Sequence, residues 1–157
     1  MLPPNAGPWH GRVVSALALP VPSLLLLFTS KPPQLFAVPL GAPPRILAGL
    51  KPTPLGGRAG HTSVRAAAFH ATSATLVVAG DAARSGGEAA AGPTISVSAW
   101  RLEVSGSGSD CKAQLQGAYG GPLQMPGLGG AKGGSGPLLG RWSLAVSPLG
   151  EQAALCV

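Results

Sequence analysis

Short apolar runs separated by turn residues recur along this chain of 157 residues. The run at 14–28 (VSALALPVPSLLLLF) aligns without gaps on 64–78 (VRAAAFHATSATLVV), which in turn aligns on 141–155 (RWSLAVSPLGEQAAL). Each copy is an apolar strand, a turn and a second apolar strand. In the third copy Pro148 and Gly150 suit a tight turn, because proline fixes its own φ and glycine accepts positive φ. The repeat predicts three antiparallel hairpins.

A further strand is predicted after each of the first two hairpins, at 34–40 (QLFAVPL) and 94–103 (TISVSAWRLE). In the second of these, Ile95 opens a strict alternation in which one face carries isoleucine, valine and alanine. The other face carries two serines and Trp100. This is the period of two expected of a strand with one more buried side. A hairpin followed by a third strand is the order of a propeller blade.

The spacing of the copies fits such blades once a Gly-rich stretch is set aside. The first two copies are 50 residues apart and the last two are 77 apart. Residues 105–140 are rich in glycine and serine and lack apolar periodicity, which predicts a flexible insertion. Without these 36 residues the second spacing becomes 41, close to the ~40–45 residues of a WD-type blade. A shorter insertion is predicted at 81–93 (DAARSGGEAAAGP).

The predicted fold class is all-β, an incomplete WD-like β-propeller of about two to three partial blades with Gly/Pro-rich insertions. A disordered N-terminus is predicted at 1–12 and partial blades at 13–104. The insertion follows at 105–140, and 141–157 is the start of a further, truncated blade.

Composition supports strands over helices. The chain holds 24 glycines and 17 prolines, and only 10% of its residues are charged. Pro removes a backbone donor and Gly weakens helices, so long helices are disfavoured. The net charge of +6 arises from few acids, and Lys and Arg are scattered singly. Without a basic cluster or interleaved aromatics, direct nucleic-acid binding is not expected.

The apolar stretch at 13–28 is the one segment that could be a membrane-spanning helix or a secretory leader. Residues 13–28 are too short for a spanning helix of about 20 residues, and Pro20 and Pro22 interrupt them. Arg12 precedes a run of leucines, as in a secretory leader, but no small-x-small cleavage site follows. Two adjacent buried strands are favoured, and a cleaved Leu-rich leader remains the alternative.

The residues that could carry chemistry are sparse. His10, His61 and His70 are widely spaced, and no Asp or Glu is placed with them as a metal ligand. Lys132 lacks the preceding glycine and the following hydroxyl of a phosphate-binding loop. The five acids form no close pair, no Gly-x-Ser-x-Gly motif occurs, and Cys111 is far from the other cysteine. We expect no catalytic, cofactor-binding or metal site.

Structural roles within the repeats are expected instead for a small set of residues. A histidine at the entrance of a blade commonly fixes a turn by hydrogen bonds, and tryptophans in strands bury large apolar areas. The residues expected to shape the blades are His61, Phe69, Trp100, Trp142, Pro148 and Gly150.

Residues 60–102 resemble a known family. The order of His61, a strand ending in Phe69 and His70, the strand LVVAG at 76–80, a small-residue insertion and SAWR at 98–101 is similar to the N-terminal propeller of the neuroblastoma-amplified sequence family. Residues 141–157, with SLAVSP at 143–148, look like the following blade, and 23–40 resemble the preceding hairpin. Together these segments cover roughly half of the chain.

The chain departs from generic WD repeats in having Trp100-Arg101 where those close a blade with Trp-Asp. It departs from the family in its Gly/Pro-rich inserts and in its lack of the helical solenoid that follows the propeller. The resemblance implies a peripheral subunit of a tethering complex at the endoplasmic reticulum that receives Golgi-derived vesicles. It also implies protein partners, the other tethering subunits, and cytoplasmic localisation at the surface of that membrane; a link to RNA decay is attributed to the family as well.

The function expected is therefore a non-enzymatic scaffold that works without a cofactor, and two alternatives remain open. A WD-like propeller from another complex would share the fold but not the partner. A secreted or organelle-targeted small protein would carry the Leu-rich stretch as its leader.

Overall fold

A computed structural model describes residues 13–19, 23–30, 32–40, 51–82, 94–104, 111–122, 142–148 and 152–156. These residues form ten β-strands and one short 3₁₀ helix, with no α-helix among them. The strands make three antiparallel sheets, none of which is closed. The all-β class predicted from the apolar pattern is confirmed.

The first sheet is a meander in which each strand pairs with the next along the chain. Its strands are β1 (Val13–Leu19), β2 (Leu24–Ser30), β3 (Pro33–Pro39) and β4 (Thr53–Pro54). β2 is apolar on both faces for five consecutive residues, as expected of a strand covered on both sides. Leu24, Leu26 and Phe28 are fully buried, whereas Leu25 and Leu27 on the opposite face are half-buried. The pair of strands predicted within 13–28 is confirmed, but the expectation that both strands are buried is wrong for β1. Val13 and Val14 are exposed, because β1 lies at the edge of its sheet and has a strand partner on one side only.

The second sheet repeats this order and is larger. Its strands are β5 (Ala66–His70), β6 (Thr75–Asp81), β7 (Thr94–Val104) and β8 (Cys111–Pro122). β6 lies second in the sheet, and its residues from Leu76 to Gly80 are buried. The alternation predicted for β7 is confirmed, and its more buried face is the one that carries Ser96, Ser98 and Trp100.

The third sheet is a single hairpin, β9 (Ser143–Val146) paired with β10 (Ala153–Cys156). Its loop is closed where the main-chain amide of Ser147 donates to the carbonyl of Gln152 at 2.8 Å. Gln152 donates its own amide to the Ser147 hydroxyl at 3.2 Å. All three hairpins expected from the sequence repeat are therefore present, at the positions that the alignment gives.

The insertion predicted at 105–140 is wrong for residues 111–122, which form β8 and pair along β7. The side chains there do alternate: Ala113 and Leu115 pack against the core while Lys112, Gln114 and Gln116 are exposed. Among the side chains of β8 whose burial is described, Ala113 and Leu115 are the apolar ones that pack against the core, so the apolar period is weak. Main-chain pairing with β7, which needs no particular side chain, defines the strand.

The shorter insertion predicted at 81–93 is wrong for its first two residues. Asp81 is the last residue of β6, and Ala82 forms an isolated bridge with His61. The remaining residues of that prediction, 83–93, lie outside the described residues, as do 1–12, 105–110 and 123–140.

The three sheets contact one another through their first strands. β1 contacts β5, and β5 contacts β9. A 3₁₀ helix at Gly57–Ala59, which follows β4, contacts β7 and β8. One apolar core lies between the first and second sheets and includes Leu26, Phe28, Leu76 and Trp100. The first strands of successive sheets are therefore adjacent.

Candidate functional site

His61 lies at the start of the second sheet, where a turn brings the chain back from the first. Gly60 ends the 3₁₀ helix with φ of 72°, in the left-handed region that glycine accepts without steric cost, and its amide donates to the Gly57 carbonyl at 3.0 Å. His61 then bridges to Ala82 and is only 3% exposed. His61 therefore precedes β5, the first strand of the second sheet, and its side chain points into the core.

Two serine hydroxyls of β7 hold the imidazole, one at each ring nitrogen. His61 Nε2 lies 2.5 Å from Ser98 Oγ, and His61 Nδ1 lies 2.5 Å from Ser96 Oγ. Trp100 Nε1 donates to Ser98 Oγ at 2.7 Å. Ser96 Oγ donates to the Asp81 carbonyl at 3.2 Å. We call these four residues, His61, Ser96, Ser98 and Trp100, the His61 cluster.

One arrangement of hydrogens satisfies the whole cluster. Trp100 has only a donor, so Ser98 accepts from it and directs its own hydrogen to His61 Nε2. His61 Nδ1 then carries the ring hydrogen and donates to Ser96, which donates onward to the main-chain carbonyl of Asp81. Every donor has an acceptor, and the chain of bonds runs in a single direction from indole to backbone. The imidazole is neutral in this arrangement.

Burial lowers the pKa of His61 from 6.5 to about 4. The cause is desolvation, because the charged imidazolium is disfavoured among apolar side chains. Protonation would also make both ring nitrogens donors, which leaves the Ser98 hydrogen without its acceptor. His61 is therefore neutral at pH 7.

Histidine beside serine is the pairing used in nucleophilic catalysis, where the histidine removes the hydroxyl proton. In the His61 cluster both hydroxyls are at most 1% exposed. A substrate therefore has no access to them, and the Ser98 oxygen is already engaged by Trp100. The cluster satisfies buried polar groups and fixes the connection before β5 onto β7.

A second polar group anchors the same connection at the end of β6. The Asp81 carboxylate accepts from the Ser63 hydroxyl and from Arg65 Nε, the latter at 2.9 Å. Its main-chain carbonyl accepts from the Thr62 amide at 2.8 Å. Beside it, a Cβ on Gly80 would collide with the Ser63 carbonyl oxygen. Gly80 therefore allows the main chain of residue 63 to lie directly against β6.

His70 links the second sheet to the third. It ends β5, and its Nε2 donates to the Pro148 carbonyl at 2.7 Å. Its Nδ1 faces the turn, where the Ser73 amide lies at 3.3 Å. Because a carbonyl only accepts, the Nε2 hydrogen is present in this geometry. The contact joins residues 78 apart in sequence.

The other residues expected to shape the repeats have different surroundings. Phe69 is half-buried and packs against the main core. Trp142 precedes β9, is half-buried, and its indole nitrogen has no hydrogen-bond partner among the described residues. Pro148 is exposed and acts through its carbonyl, whereas Gly150 lies outside the described residues. The structure thus brings His61 and Trp100 together through Ser98.

The accessible candidate for binding is the outer strand of the second sheet. β8 pairs with β7, and no other described strand pairs with it. Its second half, from Gly117 to Gly121, is uncharged, and Tyr119 there is 60% exposed. Exposed sheet edges and exposed aromatics are both common in protein interfaces.

Sequence reasoning missed Ser96 and Ser98 as partners of His61, and missed β8 altogether. The serines alternate with apolar residues, a pattern that predicts a strand but no role for the hydroxyls. Ser96 and Ser98 lie on the same face of the strand as Trp100, and this placement indicates a role. If that face is buried, the two hydroxyls need a polar partner from elsewhere in the chain.

Comparison with protein-family models, curated sequences and solved structures finds no match to this chain. Over the described residues, no group of three or more His, Cys, Asp or Glu side chains is placed to hold a metal ion. The same part of the chain contains no helix long and apolar enough to cross a membrane.

Proposed function

We propose that this chain is part of a WD-like β-propeller and acts as a non-catalytic scaffold for protein–protein interaction. The observation that carries the proposal is the repeated sheet order. Two consecutive four-stranded antiparallel meanders are followed by a hairpin, and their first strands contact one another in sequence order. Propeller blades are four-stranded sheets arranged in this way around an axis.

The second sheet supports the proposal in more detail. Gly60 and His61 precede its first strand and Trp100 lies in its third, which is the order of the Gly-His and Trp positions of a WD repeat. The His61 cluster joins these two positions through Ser98. Such a cluster fixes the connection between sheets without offering a reactive group to a substrate.

The cellular role that we propose follows from the family resemblance of residues 60–102. It is a scaffold in a vesicle-tethering complex for retrograde transport from the Golgi to the endoplasmic reticulum, with other tethering subunits as partners. The chain would be cytoplasmic and peripheral to that membrane, held there by its partners. The resemblance alone supports this role, because a fold does not determine its partners.

A fluorescent fusion at the C-terminus tests this role in cells. We expect staining of the endoplasmic reticulum surface and recovery of tethering subunits with the fusion. The Gly80→Ala variant, in which the new Cβ collides with Ser63, should lose both signals, and Gly117→Ala, with open space around it, should keep them. Diffuse staining, or secretion with loss of the N-terminus, contradicts the proposed role.

A further inference from the structure

We propose that the second half of β8 binds an extended, acidic segment of a partner protein by strand addition. β8 is an edge strand of 12 residues, and no described strand covers its outer side. An edge of this kind presents a row of main-chain donors and acceptors that an extended peptide can pair with. This inference rests on the proposed interaction role and names its surface and class of partner.

Main-chain hydrogen bonds elsewhere in the sheet determine which groups of β8 face outward. Leu102 donates to the Ala74 carbonyl and Thr94 accepts from Ala82, so the even-numbered residues of β7 direct their groups towards β6. The odd-numbered residues of β7 therefore bond to β8, since directions alternate along a strand. Val97 is odd-numbered and pairs with Tyr119. The main-chain groups of Ala118 and Gly120 consequently point away from β7 and are available to a partner.

The two halves of β8 differ in how far they are protected against pairing with another strand. A register shift between Ala99 and Trp100 makes Gln116 the extra residue of a bulge, and Lys112 lies before it. Bulges and lysines are common devices that keep an edge strand from pairing. Beyond the bulge the strand has no charge, small residues surround Tyr119, and Ala118 and Gly120 are exposed. The half of β8 beyond the bulge is therefore open to pairing, and it contains the outward main-chain groups of Ala118 and Gly120.

Charge favours an acidic partner over a second copy of the chain. Arg101 is exposed on the same face of the sheet as Tyr119, and no described carboxylate pairs with it. Of the two described acids of this sheet, Asp81 forms an ion pair with Arg65, whereas Glu103 keeps its charge and accepts a hydrogen bond from the neutral Gln114 at 3.5 Å. The whole chain carries a net charge of +6, so two copies repel each other while an acidic peptide is attracted.

Tyr119 supplies a side-chain contact beside the main-chain pairing. Its ring lies over Gly121, whose Cβ, if present, would be 2.9 Å from the tyrosine hydroxyl. Glycine at 121 therefore leaves room for the ring on this face. Tyrosines with one accessible face are frequent anchors at interfaces, and this one lies next to the outward groups of Ala118 and Gly120.

The test uses the full chain and a fluorescein-labelled peptide of about eight residues, the length of a typical strand. Threonine and valine alternate in this probe, with two glutamates at one end. A control peptide has the same sequence with alternate amides N-methylated, which removes its main-chain donors and keeps its charge. Fluorescence anisotropy should show saturable binding of the probe and at least about tenfold weaker binding of the control.

Two variants of one outward position separate pairing from folding. Ala118→Pro removes an outward N–H, which an edge strand tolerates, whereas Ala118→Thr keeps it. We expect Ala118→Pro to bind the probe about tenfold more weakly and Ala118→Thr to bind as the wild type does. Arg101→Gln should weaken binding and reduce its salt dependence. Circular dichroism should be unchanged in all three.

The proposal is overturned if the N-methylated peptide binds as well as the probe, or if Ala118→Pro binds as tightly as Ala118→Thr. Concentration-dependent self-association that Ala118→Pro abolishes also overturns it, because the occupant of the edge would then be a second copy. None of these binding results bears on the proposed propeller scaffold. That proposal is contradicted by a different finding, namely that the first strands of the sheets are not adjacent.

Discussion

Burial keeps His61 neutral in the folded chain, so its protonation is coupled to stability. The folded pKa is about 4 against 6.5 for the ordinary side chain. Between these values the unfolded chain binds more protons than the folded one, so stability falls as the pH decreases. From pH 7 to pH 5 the loss is about 2 kcal/mol.

Urea unfolding at pH 7, 6 and 5 measures this loss. His61→Gln should be less stable than the wild type at pH 7, because Ser96 and Ser98 lose a matched partner. It should also lose most of the pH dependence in this range, whereas the control His70→Gln should retain it. An equal pH dependence in His61→Gln and the wild type would show that another group is responsible.

Gly80 gives a sharper test of packing at a single position. A methyl group there meets the main-chain carbonyl of Ser63, which cannot move without displacing the connection that holds His61. We expect Gly80→Ala to lower the free energy of unfolding by about 3 kcal/mol. The matched change Gly117→Ala has no heavy atom within 4 Å of the new Cβ, and should be neutral or slightly stabilising. Equal melting temperatures for the two variants would contradict the close approach at Gly80.

At the scale of elements, the alternation of main-chain directions along β8 makes a prediction for amide exchange. Tyr119 and Gly117 direct their amides towards β7, whereas Ala118 and Gly120 direct theirs outward. We expect the amides at 117 and 119 to exchange slowly and those at 118 and 120 to exchange fast. Exchange measured by NMR gives the pattern directly. Uniform protection across the four residues would mean that another segment pairs with the outer side of β8.

Elements differed in how far the sequence could predict them. The hairpins β1–β2 and β5–β6 were predictable because their apolar runs are long and a turn divides each of them. β4 has two residues, too few to show any period, and β8 has small or polar side chains at most positions. Such strands depend on pairing with a neighbour, a tertiary effect that local pattern does not contain.

The His61 cluster shows a different limit of prediction from the sequence, namely contacts between residues far apart in the chain. The sequence placed His61 before a strand and Trp100 within one, and both placements are confirmed. It could not pair the histidine with Ser96 and Ser98, which lie 35 and 37 residues away. Their contact depends on how the connection before β5 crosses the sheet, and Gly60 and Gly80 make that crossing possible.

In the whole molecule, the first strands of the three sheets form a contiguous series, because β1 contacts β5 and β5 contacts β9. Sheets that belong to unrelated units would have no reason to align their first strands, whereas successive propeller blades all begin on the inside. The His70 contact with the Pro148 carbonyl supports the second of these adjacencies, because it connects the end of β5 to the turn after β9.

Spin labels on the first strands test this adjacency most directly. In a background with both native cysteines replaced by serine, one label is placed at Ala68 in β5 and the other at Ala16 in β1 or at Ser143 in β9. Sheets that pack against each other are about 10 Å apart, so both pairs should show strong dipolar broadening that disappears in urea. Absence of broadening in either folded pair would contradict the proposed propeller.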